Sequence, residues 1–96
     1  MKRDDVLRIL REHHQELKDF QVKKLALFGS VARDEARANS DVDLLVEFEG
    51  RPTFDQYMDL KFFLEDLFGV AVDLVTVDTL KPRLRPRVES EAIDVP

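Results

Sequence analysis

The chain has 96 residues, 44% of them apolar and 36% charged, with a formal net charge of -5 and no cysteine. A chain this short buries only roughly 60% of the surface it exposes when unfolded, so residues 1–96 are expected to form one domain around a compact core. The composition excludes a disulfide framework, a thiolate metal site and a cysteine nucleophile. No apolar run of about 18 residues offers a membrane span. The N-terminal MKRDDVLRILREHH lacks the apolar stretch and small-residue cleavage site of a signal peptide. The expectation is a soluble, cytoplasmic domain. The balance of 20 Asp plus Glu against 15 Lys plus Arg speaks against a protein that tracks nucleic-acid backbones.

Val6, Leu10, His14 or Leu17, and Phe20 follow a three-to-four spacing, which predicts a helix over about Asp4 to Asp19, with Asp4 or Asp5 capping its first turn. Val22 to Phe28 reads as a strand, and Leu25-Ala26-Leu27-Phe28 is apolar enough to be buried on both faces. Gly29-Ser30 breaks it, Val31 to about Ala36 reads as a short helix, and Asn39-Ser40 is loop chemistry. A second strand runs from about Asp41 to Phe48 and stops at Gly50-Arg51-Pro52. Thr53 and Gln56 have the spacing of a capping box for a helix that carries Tyr57, Leu60, Leu64 and Leu67 on one stripe and stops before Gly69. Val70 to Val77, rich in β-branched residues, is a third strand. Pro86 interrupts any helix continuing from Leu80, so the tail is expected to turn and then form a short helix near Arg87 to Ala92. Alternating helices and strands predict a layered α/β or α+β domain with a small sheet.

The chemistry concentrates in Phe28-Gly29-Ser30-Val31-Ala32-Arg33 and Ser40-Asp41-Val42-Asp43-Leu44-Leu45-Val46. Side chains two apart on a strand share a face, so Asp41 and Asp43 project together. Two adjacent carboxylates repel, and a hard divalent cation, Mg²⁺ or Mn²⁺ rather than zinc, relieves them. An isolated Asp-x-Asp is equally readable as a solvated strand end. Asp73 is more pointed, because it interrupts Val70-Ala71-Val72-Asp73-Leu74-Val75, where an unpaired carboxylate is costly to bury. An exposed sheet edge or an arginine partner would also accommodate it. Three carboxylates on two apolar strands are the minimum for a two-metal site that moves a phosphoryl or nucleotidyl group. Gly29-Ser30, between strand and helix, can present free backbone N–H groups and a hydroxyl to phosphate oxygens. The same dipeptide also serves as an ordinary turn.

Taken together, Gly29-Ser30, ten residues, Asp41-x-Asp43 and an apolar strand resemble the signature of the DNA polymerase β-like nucleotidyltransferase superfamily. Gly-Ser-x-Ala-Arg and Ser-Asp-x-Asp-Leu-Leu-Val resemble, more narrowly, its minimal nucleotidyltransferase branch, and Asp73 stands at the place of the family's third carboxylate. The resemblance implies an α+β nucleotidyltransferase fold with a small mixed sheet of three to four strands packed against helices. It implies that Asp41 and Asp43 bind two Mg²⁺ ions (Mn²⁺ as a substitute), that Asp73 binds one of them and assists the acceptor's deprotonation, and that Gly29, Ser30, Arg33 and Ser40 bind the nucleotide. Arg33 is as readily part of a structural ion pair. Transfer of AMP from ATP to a hydroxyl follows by resemblance. Minimal members commonly act as antitoxins beside a helical HEPN ribonuclease toxin, so the implied partner is a HEPN-type toxin that brings its own acceptor. The alternatives are a binding module that neutralises a partner by contact, and the catalytic subunit of a small-molecule nucleotidyltransferase. Neither a membrane nor direct nucleic-acid binding is expected, and homo-oligomerisation stays open.

Other features attract blander readings. His13 and His14 point roughly 100° apart on a helix and cannot share a metal. Lys81, Arg83, Arg85 and Arg87 form a basic stretch best read as a solvated tail. Phe62, Phe63 and Phe68 exceed what one buried stripe requires, with core packing as the default and partner contact as the alternative.

Overall fold

The computed structural model describes residues 2–37 and 40–95. Its elements are helix α1 (Arg3–Glu12), helix α2 (His14–Asp19), strand β1 (Val22–Phe28), helix α3 (Gly29–Ala32), strand β2 (Val42–Phe48), helix α4 (Phe54–Phe68), strand β3 (Val72–Thr76), a 3₁₀ turn (Val77–Thr79), helix α5 (Arg85–Glu91) and strand β4 (Ile93–Asp94). The strands form one sheet in the order β3-β2-β1-β4. β1 runs antiparallel to β2 and β4, whereas β2 and β3 are parallel and joined through α4, as parallel neighbours require a crossover. This is the α+β architecture with a mixed sheet that the sequence leads one to expect.

Alternation along the strands sorts the two faces. Val42, Leu44, Val46 and Phe48 of β2, with Leu25 and Leu27 of β1 and Val72 and Leu74 of β3, pack against Val6, Leu10 and Leu17 of α1–α2 and Leu60, Leu64 and Phe68 of α4. Leu10, Leu27, Leu44, Leu60 and Leu64 are completely buried, each contributing about 1.5–3 kcal/mol of transfer free energy. The opposite face carries Asp43, Leu45 and Glu47. α5 lies over part of it, where Arg85, Glu89 and Ala92 line one recess with Ala26 and Leu45.

Strand β1 has the expected limits, and α4 has the expected caps. The Thr53 hydroxyl accepts from Gln56 N at 3.1 Å while the Gln56 side chain accepts from Thr53 N at 2.8 Å, and Gly69 ends the helix at φ +69. Thr53→Ala is expected to cost about 1 kcal/mol, read as a lower midpoint in thermal unfolding.

The single N-terminal helix is instead two. His13 leaves helical geometry at φ -107, ψ 23. Its Nδ1 lies 2.8 Å from Ile9 O, and its ring meets Phe63 edge-on at 6.2 Å. Asp4 and Asp5 lie within the first turn and do not cap it; Lys2 is the N-cap and supplies no side-chain bond. α3 ends at Ala32, earlier than expected, because Asp34 takes a left-handed φ of +59. Asn39 lies outside the described residues. Pro86 does not precede the tail helix but enters its first turn, where a missing N–H costs little. Phe68 is buried and Phe63 packs on Phe20 at 4.9 Å, while Phe62 is exposed.

The outer edge of β3 is occupied by side chains. Glu65 accepts from Val72 N at 3.0 Å, the Tyr57 hydroxyl donates to Leu74 O, and the Thr79 hydroxyl donates to Thr76 O at 3.1 Å. No helix among the described residues is long and apolar enough to cross a membrane.

Candidate active site

The end of β1 and the starts of β2 and β3 meet at one margin of the sheet. Phe28 pairs with Asp43 across the antiparallel ladder, and Asp43 pairs with Asp73 across the parallel one. Paired residues in register point the same way, so both carboxylates stand on the face away from the main core. Gly29, at φ +75, turns the chain out of β1 directly against Asp43. A Cβ on Gly29 would lie 2.8 Å from Asp43 Cγ and closer still to Oδ2, so the carboxylate is seated on bare backbone.

Asp43 is half-buried, whereas Asp41 and Asp73 are exposed. Burial, followed by the charges of Asp73 and then Asp41, pushes the Asp43 carboxyl above its ordinary value of 3.8, with Arg33 pulling in the other direction. Asp73 also stands near enough to hydrogen-bond the protonated form. Among the described residues, no three His, Asp or Glu side chains are gathered into a ready ligand set. Two facing carboxyls with a third in electrostatic reach nonetheless suit a hard divalent cation, which would remove the repulsion they now share.

The structure brings Gly29, Ser30, Asp43 and Asp73 together and leaves Asp41 on the rim. Ser30 is half-buried in the turn that Gly29 opens. Arg33 follows on α3, its Nε 3.1 Å from Glu35 Oε2 and its Nη1 3.1 Å from Glu91 Oε2. The hydrogen bond to Glu35 above all, with the charge of Glu91, raises the Arg33 guanidinium above its ordinary value. Ser40 serves its own loop: its hydroxyl accepts from Arg37 N at 2.8 Å, and its N–H reaches Arg37 O at 3.0 Å. Glu91 has no signal in the sequence, because it lies 58 positions from the arginine it holds. A recess of about 760 Å³ between Lys23, Gly50 and Asp78 lies at the other end of β2 and β3 and contains none of these residues. The basic stretch is exposed, with Arg85 paired to Glu89 and Arg87 to Glu91.

Comparison with known proteins identifies the family and the fold. The model of the nucleotidyltransferase domain family matches residues 7–95. The protein adenylyltransferase MntA of Thermococcus cleftensis is 39% identical over 93 residues, covering 96% of this chain and 94% of its own. A solved structure described as a minimal nucleotidyltransferase is 45% identical, superposes with a TM-score of 0.83 and is covered over 95% of its length by 97% of this chain. The fold also matches, at 18% identity and a TM-score of 0.67, a structure of a tri-AMPylated Shewanella oneidensis HEPN toxin in complex with its MNT antitoxin; the alignment spans 93% of this chain and 71% of that one. With a four-stranded mixed sheet, a glycine turn seated on a strand carboxylate and these relatives, the chain belongs to the nucleotidyltransferase domain family, in its minimal form.

Proposed function

We propose that residues 1–96 act as one minimal domain, a Mg²⁺-dependent protein adenylyltransferase that moves AMP from ATP to a hydroxyl of a partner protein. The partner is a HEPN-type toxin, neutralised in the cytoplasm by this chain as its antitoxin. The observation that carries the reading is the seating of Asp43 on the backbone of Gly29 while it faces Asp73. That contact supports a site in which one triphosphate would meet the glycine turn and both carboxylates. The names of the 39% identical adenylyltransferase and of the HEPN–MNT complex support the choice of donor and partner.

Asp41, Asp43 and Asp73 are the residues that would hold Mg²⁺, and the ions would supply neutralisation of the charge that builds at the α-phosphate. Gly29 and Ser30 orient the β- and γ-phosphates through backbone N–H groups and the hydroxyl. Arg33 adds a guanidinium whose planar fork suits phosphate oxygens. Asp73, the more exposed of the facing pair, takes the proton of the acceptor hydroxyl as its oxygen attacks the α-phosphorus. The new O–P bond forms as the bond to the bridging oxygen breaks, and pyrophosphate leaves with that electron pair.

The test is intact-mass analysis of the HEPN partner after incubation with this chain, ATP and Mg²⁺. The expected result is one or more adenylyl increments on the partner, accompanied by loss of its toxicity. A partner neutralised with unchanged mass would replace catalysis by contact; label recovered only in small solutes would replace the protein acceptor.

A further inference from the structure

Glu91, in the last turn of α5, is held by two arginines from different elements. Its Oε2 lies 3.1 Å from Arg33 Nη1, and its Oε1 lies 3.8 Å from Arg87 Nε. The Glu91 side chain is 28% exposed, the least of any acidic partner in an ion pair among the described residues. Arg33 is one helical turn from Ser30, and its charge is felt by Asp43. A carboxylate of α5 thus sits on a guanidinium that follows the Gly29–Ser30 turn in the chain.

Two of the three nitrogens of Arg33 are engaged. Nε serves Glu35 and Nη1 serves Glu91. A two-pronged grip on a phosphate uses Nη2 together with either Nε or Nη1, and so shares a nitrogen with one of these two carboxylates. Glu35 is two residues along the chain and moves with Arg33, so the separable partner is Glu91, on another element. We propose that Glu91 is a positioning residue that occupies Arg33 as an internal competitor for nucleotide phosphate. Binding of a nucleoside triphosphate then exchanges the Arg33–Glu91 bond for an Arg33–phosphate bond and uncouples α5 from α3. The inference rests on the proposed contact between Arg33 and triphosphate.

The test is an equilibrium titration with ATP and Mg²⁺, without acceptor, of the wild type, Arg33→Gln, Glu91→Gln, Glu91→Asp and the double variant Arg33→Gln/Glu91→Gln. Thermal unfolding checks that each is folded. Glu91→Gln is expected to bind roughly two- to fivefold tighter than the wild type, the size of a partly exposed ion pair. Arg33→Gln binds more weakly, and the double variant binds as Arg33→Gln alone. Glu91→Asp keeps the charge but shortens the arm, so it tightens binding by less than Glu91→Gln. Tightening that persists at full size in the Arg33→Gln background would reduce Glu91 to a repelling charge and overturn the exchange. Glu91→Gln binding no tighter than the wild type overturns it as well. Unchanged binding by Arg33→Gln removes Arg33 from the nucleotide site, and the inference falls with that reading.

Discussion

Asp43→Asn is expected to abolish nucleotidyl transfer while leaving a folded and slightly more heat-resistant protein. Asp43 lies at the centre of the site, in register with Asp73 on one side and Phe28 on the other, seated on Gly29. Under the proposed mechanism, removing its charge takes away a ligand for a cation that would supply several kcal/mol in the transition state. At about 1.4 kcal/mol per factor of ten, the rate falls by roughly 10³-fold or more. Stability moves the other way. Burial and the charges of Asp73 and Asp41 raise the Asp43 carboxyl above 3.8, so its ionised form is costlier in the fold than in the unfolded chain. The cost is fully present above the raised value and vanishes as pH falls through 3.8, where both states bind the proton. The melting temperature of the metal-free Asn variant at neutral pH is therefore expected to exceed that of the wild type. The two curves converge on acidification. Labelled-AMP transfer and melting curves across pH measure both effects; near-normal transfer would remove Asp43 from the site, and a lowered neutral-pH midpoint would contradict the electrostatics.

Gly29→Ala is expected to damage the same site from the backbone side and, unlike the change at Asp43, to destabilise the fold. At φ +75 an L-residue is strained by about 1–2 kcal/mol. The new methyl would also stand 2.8 Å from Asp43 Cγ, inside any acceptable contact. Either the carboxylate swings away from Asp73 or the turn shifts, and both outcomes dismantle the pairing of phosphate turn and carboxylates. The expected drop in melting temperature is on the order of 10 °C, with transfer lost. Gly50 and Gly69 are informative controls, because both have positive φ but nothing within 4 Å of an added Cβ. Alanine there carries backbone strain alone and leaves transfer intact. A double variant, Gly29→Ala with Asp43→Gly, recovers the part of the stability loss due to the clash, since neighbouring substitutions couple. Full additivity would show that the carboxylate does not press on Gly29.

Much of this arrangement was legible in local chemistry. A glycine after four apolar residues marked the end of β1, and Thr53, Gln56 and Gly69 marked both ends of α4, because caps and turns are written in residues a few positions apart. Alternation alone put Asp43 off the main core face. Local pattern showed Asp73 only as an anomaly in an apolar strand, and the family resemblance gave it its place as third carboxylate; that it lies beside Asp43 depends on parallel register across α4, which no local pattern encodes. The break at His13 was hidden because the apolar spacing runs through it, and the histidine side chain bonds back to Ile9 without disturbing that spacing. β4 is two residues long and has no period to read. The ties of Arg33 to Glu91 and of Tyr57 to Leu74 join distant segments and emerge only once the layers are assembled.

The capped margin of β3 bears on how this molecule meets others. A bare strand edge invites a passing strand to extend the sheet, and such unions are long-lived and indifferent to sequence. Here Glu65, Tyr57 and Thr79 already engage that margin, while on the opposite side the two-residue β4 pairs with Ala26 and Leu27 of β1. Along β3, encounters are thereby left to side-chain surfaces rather than to backbone pairing. Under the proposed transfer to a partner protein, an already engaged β3 edge favours an encounter that ends when the group has been handed over.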